Sequence, residues 1–314
     1  MRALLVVNPV ATTTSQRTRE VLASALENDL KLEVAHTTGR GHGTELARQA
    51  RLDGIELVVA LGGDGTVNEV VNGLLSGGPG DDVPALAVVP GGGTNVFARA
   101  LGLPRDPVEA TGALLDAIRA GRRRSIGLGA AGDRWFTFNA GMGLDAEVVA
   151  RVDRRRRKVG RERPPTSGDY IRATAVEFYF GTQRRQPALT VHRPGADPVE
   201  GVHMAIVANT APWTYWGERP LLTSPEASFD RGLDLYALTR LRTAGTLVEV
   251  QRLLRGRTSE RAGPQGSQVH REHDLAELTL RASRPVAAQV DGEALGQTDE
   301  LVLRSVPDAL RVVV

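Results

Sequence analysis

The residues best suited to chemistry sit in two glycine-rich turns. Gly62-Gly63-Asp64-Gly65-Thr66 stands between an apolar run ending at Leu61 and a helical pattern beginning VNEVVNGL. Pro90-Gly91-Gly92-Gly93-Thr94-Asn95 follows the next apolar run and leads into a helical pattern over Val96 to Leu101. In an α/β sheet, ligands bind at the carboxyl end of a strand where a helix begins. Glycine in such a turn permits positive φ and lets backbone N–H groups approach phosphate oxygens. Two such turns on adjacent parallel strands fall at one sheet edge and could grip a polyphosphate from two sides. Asp64 is then placed to engage magnesium carried with the phosphates. The plainer reading of the first turn alone is a tight strand-to-helix connection with Thr66 as its cap.

Other phosphate-handling machineries are excluded by inspection. There is no G-x-x-x-x-G-K-[ST], no H-R-D or D-F-G, and no G-x-G-x-x-G at the first strand. Lys31 and Lys158 are the only lysines, and neither is near a glycine turn. Phosphate charge must therefore be met by N–H groups, arginine or metal. The six histidines form no metal set, since His270 and His273 lack a second pair at ligand spacing.

The elements that must hold these turns follow from the apolar pattern. Strands are predicted at Ala3 to Val7, Leu32 to His36, Glu56 to Leu61 and Ala85 to Pro90, alternating with helices at Gln16 to Leu26, Thr44 to Arg51, Thr66 to Leu75 and Pro107 to Ala120. Such alternation means a layered α/β domain with a largely parallel sheet. Beyond about Arg124 the texture changes to β-favouring runs: RWFTFNAG, PALTVHR, HMAIVAN, LDLYAL, LAELTLRA, VAAQVDGE, ELVLRS and LRVVV. These predict an antiparallel β-sandwich, interrupted by helices at Gly168 to Phe180 and Gly245 to Leu254. The expected division is residues 1–124 as the α/β domain and 125–314 as the all-β domain, with the last strands open to either.

Composition narrows the class further. A chain of 314 residues with 41% hydrophobic and 24% charged content is long enough for two folded domains. A formal charge of +2 does not point to nucleic acid. No window approaches the roughly 20 apolar residues of a membrane span, and MRALLVVNPV reads as a buried first strand rather than a secretory signal. The absence of cysteine fits a reducing, cytoplasmic setting. A homodimer is the base-rate expectation for such an enzyme.

Taken together, Asn8-Pro9, GGDGTVNEVVNGL (Gly62 to Leu74), PGGGTNVFARALGLP (Pro90 to Pro104), NAGMGLDAEVV (Asn139 to Val149) and Asp291-Gly292-Glu293 resemble the diacylglycerol kinase and related lipid kinase family. That family shares its GGDGT turn with NAD kinases and phosphofructokinases. The resemblance implies transfer of the γ-phosphoryl group of ATP, with Mg2+, to a lipid hydroxyl, diacylglycerol being the first candidate. It implies nucleotide contacts from Asn8, Pro9, Thr12, Thr37, Gly62, Gly63, Gly65, Thr66, Asn68, Glu69, Gly92, Gly93 and Thr94, with Asp64 at the metal. It also places the catalytic base in the Asp291-Gly292-Glu293 turn, principally at Glu293. Read from the residues, QVDGEAL ends a strand with two carboxylates at an exposed corner, and Asp-Gly is equally a hairpin signal. NAD kinase-like phosphorylation of a soluble acceptor, and inactive nucleotide or lipid binding, remain the competing classes.

The sequence departs from the family at three places. Asn8-Pro9 is followed by Val10, Ala11 and three threonines without the usual glycine, and the hydroxyl of the second turn falls by spacing on Gly93, with Thr94 one place later. Val96 and Arg231 stand where bacterial relatives have acids of a structural magnesium site, which argues against that site here. The run Arg154 to Lys158, continued by Arg161 and Arg163 beside Pro164 and Pro165, is suited to peripheral docking on anionic lipid or is a solvated loop. Trp213, Tyr215 and Trp216 are interfacial or core aromatics.

Overall fold

The structure, a computed structural model, describes residues 1–11, 14–159, 172–174, 176–177, 186–241 and 268–314. It divides into two compact units, Met1–Leu128 with Pro307–Val314, and Gly129–Val306.

The first unit alternates β1 (Arg2–Val7), α1 (Gln16–Glu27), β2 (Lys31–His36), α2 (His42–Leu52), β3 (Leu57–Gly62), α3 (Asp64–Leu74), β4 (Ala85–Pro90), α4 (Val96–Ala100) and α5 (Pro107–Arg119). Its sheet runs β4-β3-β1-β2, with every pairing parallel. The middle strands are unbroken apolar runs because a parallel sheet is covered on both faces. Each residue of β3 and β4 is buried, whereas the edge strand β2 is largely open to solvent. Leu22 and Leu26 of α1 and Leu114 and Ala117 of α5 share one core with Leu5, Val59 and Val89. Local signals fix the helix starts: Ser15 Oγ accepts from Thr18 N at 3.1 Å, and Asp106 Oδ1 accepts from Val108 N and Glu109 N, with Pro107 at the first helical position.

The chain leaves this unit along β5 (Arg123–Ala131) and continues through β6 (Arg134–Phe136), β7 (Asn139–Gly143), α6 (Leu144–Val159), β8 (Leu189–Arg193), β9 (Ala196–Val202) and β10 (Met204–Ala208). A small separate ribbon, β11 (Thr214–Trp216) with β12 (Arg219–Leu221), precedes β13 (Leu233–Leu238), β14 (Val269–Leu275), β15 (Glu277–Val290) and β16 (Glu293–Val313). The second unit is antiparallel throughout its registered pairs. The long strand β15 serves two neighbours. Thr279 to Ala282 pair with β8 and Ala288 to Val290 pair with β7, while the ladder to β16 shifts register between Arg281 and Val286. Side chains from both arms, among them Met142, Val191, Val207, Leu235, Leu280 and Leu303, close over one core.

Several expectations need correction. The runs LAELTLRA and VAAQVDGE are largely parts of the single irregular strand β15, and ELVLRS and LRVVV both lie in β16. The register shift lets one strand change partners, so a polar break in the sequence is not an end of the strand. The apolar spacing over Leu144 to Val152 forms α6, which carries Arg154 to Lys158 on a helix rather than in a loop. The last strands were open to either domain, and from Pro307 onward β16 belongs to the first unit, where Val312 pairs in parallel with Leu86. The helix predicted over 245–254 lies outside the described residues, as do Arg161, Arg163, Pro164, Pro165 and most of the helix over 168–180.

Candidate active site

In the first unit the two glycine turns meet directly. β3 and β4 are parallel neighbours in register from Leu57↔Ala85 to Gly62↔Pro90, so both turns leave the same sheet edge. Gly91 N donates to Gly62 O at 2.8 Å. A Cβ on Gly92 would stand 2.7 Å from Gly63 Cα, closer than real Cβ atoms approach backbone. This contact, not positive φ, explains Gly63 and Gly92: none of Gly62, Gly63, Gly65, Gly91, Gly92 or Gly93 has positive φ. The left-handed residue of the second turn is Asn95, with φ 48°, and its side chain closes the turn by accepting from Gly92 N at 2.9 Å and donating to Gly92 O at 2.7 Å.

A third segment is tied to this pair. Asn8 Nδ2 donates to Thr66 Oγ1 at 2.9 Å, and Asn8 Oδ1 accepts from Val10 N at 3.0 Å. Thr37 N, just past β2, donates to Val7 O at 2.9 Å, which keeps Thr37 beside the end of β1. Asp64 opens α3 and its Oδ1 accepts from Phe97 N, in the first turn of α4, at 3.2 Å. The N-cap of α3 is Gly63, which offers no side chain to the first N–H groups, and negative charge at such a helix start is favoured. Pro9 and Gly93 are exposed, while Gly63, Asp64, Gly65, Gly92 and Thr94 are half-buried around them.

Three of the named contacts need qualification. Asn68 is fully buried and its Oδ1 accepts from Asn72 Nδ2 at 3.1 Å, so it braces α3 from within rather than facing solvent. Glu69 caps α2: its two carboxylate oxygens accept from Gly41 N at 2.7 Å and Gly43 N at 3.0 Å. That is the favoured place for a carboxylate, and it draws the start of α2 onto α3. Thr12 lies outside the described residues. Asn95, which locks the second turn, was legible only as the end of the motif.

In the second unit the Asp291-Gly292-Glu293 turn joins β15 to β16. Asp291 is 5% exposed, so the expectation of two carboxylates at an exposed corner is wrong for this residue. Its Oδ2 accepts from Thr137 N at 2.7 Å and Thr137 Oγ1 at 2.8 Å, and its Oδ1 from Phe138 N at 3.0 Å and Asn139 N at 3.1 Å. Burial raises its carboxyl above the ordinary value, and these four donors oppose the shift. Asp291 thus fixes the start of β7 to the turn. Glu293 remains partly accessible, with Oε2 3.1 Å from Arg134 Nη2. Nothing in the sequence marked Arg134, because a strand arginine at a distance of 159 residues has no local signature.

Beneath the turn lies a second polar group. Gln289 Nε2 donates to Asn139 Oδ1 and to Asp145 Oδ2, each at 2.9 Å, and Gln289 Oε1 accepts from Gly292 N at 2.9 Å. Burial pushes the Asp145 carboxyl up to about 6, with the Gln289 hydrogen bond acting the other way. Asn139 and Asp145 fall within the quoted NAGMGLDAEVV segment, whereas Gln289 carried no flag. At the remaining departures, Val96 is buried in α4, and Arg231 Nη1 lies 3.3 Å from His273 Nε2 while His273 Nδ1 lies 2.6 Å from Asp234 Oδ1.

The first unit is thus a parallel sheet whose adjacent strand ends carry interlocked glycine turns, with an acid opening the helix after the first. Comparison with known proteins gives a specific likeness: residues 2–131 match the diacylglycerol kinase catalytic domain. The chain is 42% identical to the diacylglycerol kinase of Bacillus subtilis (strain 168) over 113 residues, 36% of this chain and 35% of that one. It is 38% identical to the lipid kinase YegS of Escherichia coli (strain K12) over 86 residues, 27% of this chain and 28% of that one. The match therefore spans about a third of the length of these curated relatives. The fold extends further. A crystal structure of a diacylglycerol kinase from Bacillus anthracis str. Sterne superposes with a TM-score of 0.69 at 18% identity, covering 99% of this chain and 96% of that one.

Proposed function

We propose that this protein is a magnesium-dependent ATP:lipid phosphotransferase whose acceptor is the hydroxyl of a membrane lipid, diacylglycerol being the first candidate. The observation that carries the reading is the interlock of the two glycine turns through Gly91 N and Gly62 O, with Asp64 at the head of α3. The interlock, which engages the Gly91 amide itself, holds both turns at one sheet edge, and this supports a polyphosphate site whose charge is met by other N–H groups there, arginine or metal.

Among the described residues no cluster of three or more metal-ligating side chains exists. A single carboxylate, Asp64, suits magnesium, which is commonly held by one or two carboxylates together with substrate phosphates and water. When bound, the ion held at Asp64 would supply positive charge against the negative charge of the phosphates. The first-unit residues then act by positioning. Glu293, the accessible carboxylate of its turn, accepts the proton of the acceptor hydroxyl as the hydroxyl oxygen bonds to the γ-phosphorus and the β–γ bridging bond breaks, leaving ADP. Asp291 does not share this role, since its oxygens are engaged by the backbone at 137–139.

The acceptor meets the protein at the bilayer surface. Among the described residues no helix is long and apolar enough to cross a membrane. Arg154 and Arg155 are exposed on α6, and Trp216 is 43% exposed on the small ribbon. These features support peripheral contact with anionic lipid from a cytoplasmic enzyme. A homodimer is retained from general frequency alone.

The test is transfer of labelled γ-phosphate from ATP and magnesium to a panel of lipids in mixed micelles, with NAD as a soluble acceptor and Asp64→Ala as the blank. Labelled lipid that vanishes in the variant supports the reading and names the acceptor. Label on NAD alone would replace the lipid reading with a NAD kinase-like one, and ATP binding without transfer would mark an inactive relative.

A further inference from the structure

We infer that Gln289 is a positioning residue: its carboxamide holds the Asp291-Gly292-Glu293 turn, and with it the Glu293 carboxylate, through a one-directional chain of hydrogen bonds to Asn139, Asp145 and Trp213. The inference rests on the assignment of Glu293 as the group that takes the acceptor proton.

The direction of the chain is forced by the chemistry of its ends. Gly292 N–H can only donate, so Gln289 must turn Oε1 toward it. That orientation leaves Nε2, with two hydrogens, facing Asn139 Oδ1 and Asp145 Oδ2. Asn139, accepting at Oδ1, must then present Nδ2 outward, where it donates to Trp213 O at 3.2 Å. A flipped Gln289 amide would oppose N–H to N–H at Gly292 and oxygen to oxygen at Asn139. Gln289 is 1% exposed, so water is not available to replace a lost partner. The site is also shaped for this amide: a Cβ on Gly141 would stand 2.8 Å from Gln289 Nε2 and 3.0 Å from Asp145 Oδ2.

Asp291 has φ 46° and Gly292 φ 76°, the two left-handed residues of a two-residue hairpin turn between Val290 and Glu293. Asp291 anchors the first of them through its carboxylate, and Gln289 anchors the second through the Gly292 amide. Glu293 follows at once, and a general base must lie within hydrogen-bond reach of the proton it removes. Its side chain is guided further only by what it meets beyond the backbone, such as Arg134.

Gln289→Met preserves length and apolar bulk while removing all three hydrogen bonds, and Gln289→Glu keeps an oxygen for Gly292 but loses both donors. Two quantities are read in the full chain, below the melting temperature of every variant: amide hydrogen exchange at Gly292, and kcat with KM for ATP. For Gln289→Met the expected result is Gly292 exchange at least ~10-fold faster, kcat lower by ~10- to 100-fold and KM for ATP within about twofold. Gln289→Glu should keep Gly292 protected. A merely structural role would lower the melting temperature yet leave kcat per folded molecule unchanged, and that result overturns the inference, as does unchanged Gly292 exchange. If the methionine variant does not fold, Gln289→Leu, which removes the same three hydrogen bonds, is read by the same exchange measurement, faster Gly292 exchange being expected and unchanged exchange overturning the inference. If the wild type phosphorylates no acceptor, the lipid kinase reading fails by itself, and Gly292 exchange alone then decides whether Gln289 holds the turn.

Discussion

Asp64 Oδ1 accepts the Phe97 amide at 3.2 Å, so the acid that opens α3 also holds the first turn of α4. One carboxylate therefore links the helix after the first glycine turn to the helix after the second.

This hold on Phe97 and the metal role proposed for Asp64 separate by substitution. Asp64→Asn keeps an oxygen for Phe97 N and removes the charge, whereas Asp64→Ala removes both. Turnover is expected to fall by at least ~100-fold in either variant, equivalent to about 2.7 kcal/mol of transition-state stabilisation. Thermal melting should drop in Asp64→Ala and stay near wild type in Asp64→Asn. Wild-type turnover in Asp64→Asn would remove Asp64 from the metal role.

The glycines of the second turn are not equivalent, although the sequence shows them as a uniform run. A Cβ at Gly92 meets the Gly63 backbone at 2.7 Å, while a Cβ at Gly93 meets nothing within 4 Å. Gly92→Ala is expected to cost ~1–3 kcal/mol, because backbone rather than a flexible side chain must move. Gly93→Ala should change stability by no more than about 0.5 kcal/mol. Denaturant melts of both variants check the pair, and equal losses would contradict the interlock.

This contrast shows where sequence reading stops. Strands β1 to β4 and their helices were legible because a parallel sheet buried on both faces writes itself as short apolar runs between helical patterns. The position of the glycine turns followed from those runs. What the glycines touch did not, since the Gly63–Gly92 approach depends on register between strands. The second unit was harder for the same reason: β15 changes partner between Arg281 and Val286, and no residue type announces that change. Asp291 and Glu293 look alike in the sequence as a pair of acids flanking glycine. Only the fold separates them, by turning one onto the backbone at 137–139 and leaving the other accessible.

Asp291→Ala is accordingly expected to act on stability. It would strand three backbone N–H groups and the Thr137 hydroxyl in a buried site, a loss of ~3–5 kcal/mol. Asp291→Asn, retaining one acceptor oxygen, should lose about half as much. Chemical denaturation measures both. If Asp291→Ala were as stable as wild type yet inactive, the residue would be catalytic rather than structural.

Asp145 supplies a pH signature that can be read without any substrate. Its carboxyl is raised from 3.8 to about 6 in the folded chain, chiefly by burial. Below the lower value it is protonated whether the chain is folded or not. As pH rises from there toward about 6, the unfolded chain releases the proton while the folded chain keeps it. Stability is therefore lost across that window, by at most about 3 kcal/mol, and the loss stays constant above it. Asp145→Asn cannot ionise and still offers an oxygen to Gln289 Nε2. The variant should melt close to wild type at pH 4 and above wild type at pH 7.5. Because the predicted gap grows with pH, a gap of the same size at both pH values would show that burial does not raise the Asp145 carboxyl above its ordinary value in the folded chain.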